Sequence, residues 1–468
     1  MNFRKLFFLT LLIISNLSIF SQSASEAENL FNNKQYTKAK AIYETLLKKK
    51  PTDQLLNYRY ARCCFELKDY ENAAHYFELS SSKYPQRDMY LADSYYFSYQ
   101  FSQAVELYNS CLSALDPNDK KAIEIQKRIQ QSETGAKLLN RVEDITLIDS
   151  IVVSKNEFLQ YIGYNHDIGS LSSERIRITS RNQFDKVTYT TQRADRKILS
   201  DTVAGNTDIL SAYKLLESWT MPTSISEVIN TKANENYPFL LLDGVTLYYA
   251  SDGNGSLGGY DIFFTKYSPN AKDFLNPENA GFPFNSPFND YMMVLDEISQ
   301  KGWFVSDRYL PAGKVGVYTF VLNDSKTYIR TEDSTLLRQT AQMKKVRKAP
   351  KQMQDQNRTN TTNSVAQATD FSFIINDSIV YSSKNQFKVS ESEHLMADLL
   401  TLQQQLDNNS FQLEQLRYQY ANSDNPESMA KIAETILILE AKQIQIQKEI
   451  NGKTKRIRLL EINFSEKS

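Results

Sequence analysis

Residues 35–51 read QYTKAKAIYETLLKKKP, and residues 69–85 read DYENAAHYFELSSSKYP. Set one above the other, Tyr36, Ala39, Tyr43 and Pro51 recur 34 residues later as Tyr70, Ala73, Phe77 and Pro85. A third, slightly shorter copy carries Phe101, Ala104, Tyr108 and Pro117. In each copy a small Ala stands four residues before a large aromatic, and a Pro follows. A period of this size marks a repeat array rather than one self-contained fold. Ala lets two helices approach closely, the aromatic fills the space beside it, and Pro stops the chain from continuing as helix. The spacing predicts two antiparallel helices per unit, with an amphipathic helix over about residues 120–140 capping the stack.

These positions resemble the tetratricopeptide repeat (TPR) over about residues 22–118, within a helical domain spanning 24–141. The resemblance implies a concave groove that takes a peptide or a partner protein. Carried over position by position, it places Asn32, Tyr58, Arg62 and Tyr96 in the groove, with Phe31, Phe65 and Phe97 beside them. Whether these aromatics face the groove or only pack between repeats stays open at this point. Glu28 stands where the carboxylate-clamp variant of the family needs a different side chain, so capture of a peptide C-terminus is not implied.

Toward the N-terminus, Arg4 and Lys5 precede an apolar run from Leu6, and Ser21, Gln22, Ser23 and Ala24 follow. A basic start, an apolar stretch and small residues are the parts of an export signal, here residues 1–23. Ser15, Asn16 and Ser18 interrupt the run, whereas a membrane span needs about 20 apolar residues. The mature chain is expected to carry no transmembrane segment, and to reside in the periplasm or in peripheral association with the outer membrane. Cys63 and Cys64 are adjacent and Cys111 is distant, which reads as core filler, although a bridge from Cys111 to one of the pair stays open.

Beyond residue 143 the helical spacing gives way to short alternating runs, the pattern of an all-β region. Two segments within 143–330 align with each other. Asp243 pairs with Asp296, Tyr249 with Phe304, and Ser251-Asp252 with Ser306-Asp307. Tyr260-Asp261-Ile262 falls on Gly316-Val317-Tyr318, and a weaker copy lies over residues 186–219. Each unit reads as two strands, a Ser-Asp turn, a Gly-containing loop and a third strand. The glycines are expected to supply positive φ, and Asp252 and Asp261 to accept backbone N–H groups. A calcium loop through Asp252, Asn254 and Ser256 is disfavoured, because Phe263 stands where the closing Glu belongs. Gly253, Gly255 and Gly258 spell a dinucleotide fingerprint, but the next residues read as a strand rather than a helix.

Ser251, Asp252, Gly258, Gly259, Tyr260 and Asp261 resemble the WD40-like propeller repeat of TolB-type exported proteins, with Ser306 and Asp307 as the partial second copy. The order of export signal, TPR and WD40-like repeats is similar to a Bacteroidetes group of cell-envelope proteins, here without their OmpA-like module. The expected fold class is multidomain α + β. An α-solenoid of three TPR units precedes a propeller-like domain of about four to five blades, closed or incomplete. A flexible basic linker over 331–369, further propeller strands over 370–390, and a helical hairpin or coiled coil over 391–464 complete it. Leucines at 395, 399, 402, 406 and 413, then Ile432, Ile436, Leu439, Ile446 and Ile450, carry the 3–4 spacing of that hairpin.

Composition narrows the function. With 54 Lys plus Arg against 55 Asp plus Glu, the chain lacks the basic excess that nucleic-acid binding requires. Three His fall in three different segments (His75, His166, His394), and only 14 Gly disfavour phosphate-binding loops. No catalytic or metal constellation emerges, no cofactor is implied, and the expected class is a non-enzymatic scaffold binding envelope proteins or peptides. The alternatives are a glycan- or peptidoglycan-binding envelope sensor, with Trp219 and Trp303 as stacking candidates that read more readily as blade core, and an envelope secretion or assembly accessory factor. Asp followed by Ser150, Thr202, Ser334 or Ser378 and then a small apolar residue or Thr resembles the Bacteroidetes O-glycosylation sequon.

Overall fold

The computed structural model describes residues 23–465, apart from 165, 178–182, 204, 216–217, 254, 324, 352, 355–372, 377–378, 382–385 and 422–425. The export segment up to residue 22, Asn254, the later part of the basic linker and Ser378 therefore lie outside the described residues. Two compact units divide the chain, Met1–Thr361 and Thr362–Ser468.

The first unit opens with α1 (residues 23–32). Then come α2 (Tyr36–Lys49), α3 (Gln54–Glu66), α4 (Tyr70–Glu78), α5 (Arg87–Phe97), α6 (Phe101–Leu112) and α7 (Lys120–Leu139). The repeated positions carry the packing as their chemistry requires. Ala39, Ala73 and Ala104 are each 0% exposed, and Tyr43, Phe77 and Tyr108 no more than 1%. Asp53 and Asp119 start α3 and α7 by accepting backbone N–H groups of the first turn. The turn inside each hairpin passes through a left-handed residue, Lys34, Lys68 and Tyr99, with φ of 60–62°. None is Gly, so each turn costs about 1–2 kcal/mol that the packed hairpin offsets.

A large sheet-rich region follows, with β1 over Thr146–Ser154. The first sheet contains β2 (Ser170–Arg177), β3 (Gln183–Thr190), β4 (Arg196–Val203), β5 (Asn206–Tyr213) and β6 (Thr223–Ser224) in that order. The second contains β7 (Glu235–Leu240), β8 (Thr246–Ser251) and β9 (Asp261–Ser268), with the short β10 (Asp273–Phe274) and β11 (Glu278–Asn279) along β9. The third contains β12 (Asp290–Asp296), β13 (Lys301–Ser306) and β14 (Lys314–Val321). β1 joins this sheet beside β14, antiparallel to it from Thr146↔Val321 to Ser154↔Lys314. Both aligned segments thus form the expected three-strand units. Among the described residues there are three sheets here rather than four or five, and no ladder joins one sheet to the next. The count falls because the region's first strand is spent completing the last sheet.

The β7 residues are all buried, and those of β12 nearly all, because each strand lies between its own sheet and a neighbouring one. Such strands read as continuous apolar runs rather than alternating ones. A shared core joins the sheets through Val187, Ile198 and Ile209, Phe239 and Leu247, and Val294, Trp303 and Val317.

The segment 331–354, expected as part of a flexible linker, is built into this unit. Helix α8 (Ser334–Ala341) is capped by Asp333, and β15 (Arg347–Lys348) runs parallel to β1. Ala341 is fully buried, the Gln342 side chain donates to the Ser98 carbonyl at 3.0 Å, and Arg347 pairs with Asp144 at 2.9 Å. A basic run looks solvated in sequence, but here its flanking Ala and Gln anchor it.

In the second unit, β16 (Phe373–Asn376) and β17 (Ile379–Tyr381) form a two-stranded sheet of their own. The expectation of extra propeller strands over 370–390 is corrected. Ile375 and Phe387 pack with Met396, Leu399 and Ile457 of the two long helices. Those helices are α9 (Ser390–Ala421, 32 residues) and α10 (Pro426–Ser465, 40 residues). They run antiparallel, tied by Lys453–Asp398 at 2.7 Å and Arg456–Glu391 at 3.2 Å. The Glu461 carboxylate accepts from the Val389 N–H (3.1 Å) and the Tyr381 hydroxyl (2.8 Å).

Candidate protein-binding groove

The first helices of successive repeats, α1, α3 and α5, present Phe31, Arg62 and Tyr90 side by side. The Arg62 guanidinium lies 4.1 Å from the Tyr90 ring centre and 5.3 Å from that of Phe31, and Glu66 approaches it at 3.6 Å. Its side chain is 23% exposed, and its Nε has no hydrogen-bond partner. An Arg held between two rings keeps its terminal N–H groups positioned rather than floating, which is the preorganisation that recognition of a carboxylate or carbonyl needs. Tyr58 is half-buried beside it, stacked on Tyr84, with its hydroxyl donating to the Pro85 carbonyl at 2.9 Å. Phe65 packs edge-on to Tyr70 and Tyr90, and Asn32 is exposed at the rim. Tyr90 was not singled out in the sequence, although it follows Arg62 by 28 residues on the next equivalent helix.

Tyr96 is not a groove residue. It is 0% exposed and packs with Phe101, while Arg128 of α7 lies 4.9 Å from its ring. The third copy is shorter, so its aromatic turns into the interface with the capping helix. A cleft of about 900 Å³ opens there among α5, α6 and α7, lined in part by Asp93, Cys111, Lys121 and Arg128. Burial pushes the Asp93 carboxyl up, against the pull of the Tyr108 hydroxyl that donates to it at 2.5 Å.

Phe97 has a different role: it stacks on Tyr70, and Phe288 of the sheet region lies 5.4 Å from its ring. Lys68 donates to the Leu310 carbonyl, Gln131 to the Gly258 carbonyl at 3.0 Å, and Tyr99 meets Phe282. The repeat turns are therefore docked on the sheets, which fixes the groove on a rigid support.

The sheet signature proves to be one hydrogen-bond device used twice. Asn285 accepts from the Ile262 N–H and donates to the Ile262 carbonyl, both at 2.8 Å. Asn230 does the same to Ile209, both at 2.8 Å. Asp252 accepts from the backbone and side chain of Asn234, and Asp307 accepts from those of Asn289. Glu235 accepts from Thr231 and Ser251, and Asp290 accepts from Ser286 and Arg308. Asn230 and Asn285, Asn234 and Asn289, Glu235 and Asp290, and Asp252 and Asp307 are each 55 residues apart, and the shared pattern is NTKANE at 230–235 and NSPFND at 285–290. These Asn residues latch one sheet to the backbone of the preceding one. The repeat was legible but lay just N-terminal to the aligned segments.

Gly258 and Gly259 are required for a reason other than positive φ. A Cβ on Gly258 would lie 2.0 Å from the Phe288 carbonyl oxygen, and one on Gly259 would lie 2.0 Å from Asn289 Oδ1. Gly255 alone of this loop has the expected positive φ, at 91°. Asp261 accepts from the Leu257 and Gly258 N–H groups and from Asn279. Burial and the neighbouring Asp290 push its carboxyl well above the ordinary range, against those donors. Tyr260 joins Tyr237 and Tyr291 in a ring cluster, and Ser306 accepts from Arg308 Nε at 2.9 Å.

Residues 30–92 match the tetratricopeptide repeat. No curated protein and no solved structure matches the chain. The tetratricopeptide match covers the helices that carry Phe31, Arg62 and Tyr90 and stops short of the sheets.

The remaining candidates separate as follows. Trp303 is core, 1% exposed, whereas Trp219 is half-buried with Lys197 and Lys214 at 4.4 and 5.2 Å from its ring, so it is not core. The three cysteines are free; Cys63 and Cys64 are buried, and burial pushes both thiols up to about 12. Among the described residues no three His, Cys, Asp or Glu side chains cluster to hold a metal, and no helix is long and apolar enough to cross a membrane. Ser150, Thr202 and Ser334 are exposed.

Proposed function

We propose that this chain is a non-enzymatic protein-interaction scaffold of the bacterial cell envelope, which holds a segment of a partner protein along its tetratricopeptide groove. The observation that carries the reading is Arg62, held between Phe31 and Tyr90 with its side chain partly open to solvent. Envelope residence rests on the export-like start of the chain and on the WD40-like signature. On the same reading the three sheets form a compact propeller, with β1 acting as the clasp of the last blade, and the chain is an accessory to secretion or assembly that associates peripherally with the outer membrane.

Full-length protein and its R62A variant, used as bait on envelope extracts, test the groove. R62A is expected to weaken capture of the wild-type partner about tenfold while leaving the melting temperature unchanged. Equal capture by both overturns the groove assignment, and retention on purified peptidoglycan without any protein partner favours a glycan sensor instead. Intact mass of the native mature chain tests the envelope reading separately. A mass lacking the first 20 to 24 residues is expected, with added hexose-scale increments if Ser150, Thr202 or Ser334 is modified. An unprocessed, unmodified mass overturns export and glycosylation together.

A further inference from the structure

We propose that a second copy of this chain covers the outer face of α10, antiparallel and centred on Ala441. The inner face of α10 is occupied within its own hairpin, where Ile446 is 5%, Ile450 8% and Ile457 0% exposed. On the opposite side stand Leu437, Ile438 and Ile444, 66%, 61% and 60% exposed. At 100° per residue they share one face with Ala430, Glu434, Ala441, Gln445, Lys448 and Gly452, all exposed. Three large aliphatic residues together on one exposed stripe exceed the scattered single residues of an ordinary surface.

The order of residues identifies the occupant. Read outward from Ala441, the stripe is nearly palindromic: Ile438 answers Ile444, Ala430 answers Gly452, and Glu434 answers Lys448. A two-fold axis through Ala441 brings each residue n against residue 882 − n of the other copy. It therefore sets Ile438 on Ile444, and Glu434 on Lys448 twice. Small residues at the centre and both ends let the two helix backbones approach closely. A self-complementary patch of this kind is what an isologous interface requires. A parallel pairing would instead set Glu434 on Glu434 and Lys448 on Lys448. The contact runs over about 33 Å of helix, from Ala430 to Gly452.

Full-length protein is tested by light scattering and by cysteine crosslinking. Wild type is expected to dimerise, and L437E/I444E to be monomeric with unchanged helix content, because both positions point away from the hairpin core. E434K and K448E are each expected to weaken the dimer about tenfold, and E434K/K448E to restore it. Under mild oxidation E434C mixed with K448C is expected to crosslink, while either alone does not exceed wild type. A wild-type monomer at high concentration overturns the proposal. So does crosslinking of E434C with itself, or failure of the charge swap to restore what the single changes remove.

Discussion

Replacing Arg308 with alanine is expected to remove about 3–5 kcal/mol of folding stability. The side chain is 1% exposed, and its partner Asp290 is 0% exposed, 2.8 Å away. Arg308 also donates to the Pro283 carbonyl at 2.8 Å, the Phe284 carbonyl at 2.6 Å and the Ser306 hydroxyl at 2.9 Å. Truncation leaves Asp290 buried with only the neutral Ser286 and Ser306 hydroxyls as side-chain donors, and leaves two buried carbonyls without this donor. An uncompensated buried carboxylate is far costlier than the loss of the pair itself. R308K is not expected to rescue, because one ammonium cannot reach four acceptors in a planar fork. R308M/D290N, which removes both charges and keeps the volume, is expected to recover at least about 2 kcal/mol relative to the sum of the single changes. Chemical unfolding followed through Trp303, buried in the same sheet, reads all of these. A loss below about 1 kcal/mol for R308A would show that Asp290 is satisfied without it.

How much of this was legible from residues alone follows from what sets each feature. The helical repeats were, because Ala39, Ala73 and Ala104 and their partner aromatics are fixed by local helix contacts at one period. The three-strand units were legible too, since Asp243 and Asp296 start the same turn, accepting from Thr246 N–H and Ser299 N–H. Sheet number was not. That β1 would pair with β14, some 170 positions along the chain, depends on tertiary closure and leaves no local period. In sequence, DSIVYSSKNQF at 377–387 echoes DSIVVSKNEF at 149–158, which suggests shared roles. Yet Phe387 of the later copy, with Ile375 just before it, packs with Met396, Leu399 and Ile457 of α9 and α10. Arg62 lies beside Phe31 and Tyr90 of the neighbouring repeats, on the face its repeat phase suggests. Tyr96 was misplaced because a repeat three residues short rotates its aromatic about its helix into the core.

G258A is expected to cost about 3 kcal/mol or more, from one added methyl. Such a change usually stabilises a chain when φ is negative, because it restricts the unfolded state. Gly258 has no positive φ, so conformational freedom is not the reason for its presence. The methyl would sit 2.0 Å from the Phe288 carbonyl oxygen and 2.7 Å from the Pro287 carbonyl carbon, both backbone atoms that cannot rotate aside. Relief requires the 257–260 loop and the 286–289 segment to separate by more than 1 Å, on the order of a normal van der Waals gap. That separation pulls apart the sheet latch at its closest points, Tyr260 N–H to Asn289 Oδ1 at 3.1 Å and Asp290 N–H to the Tyr260 carbonyl at 2.7 Å. It also strains the Gln131 bond to the Gly258 carbonyl, so the helical repeats feel the change. G163A is the matched control: nothing lies within 4 Å of its added carbon and its φ is not positive, so an effect within about 0.5 kcal/mol is expected. Equal stability of G258A and wild type would mean that the two segments are not in contact, and the latch between sheets would fall with it.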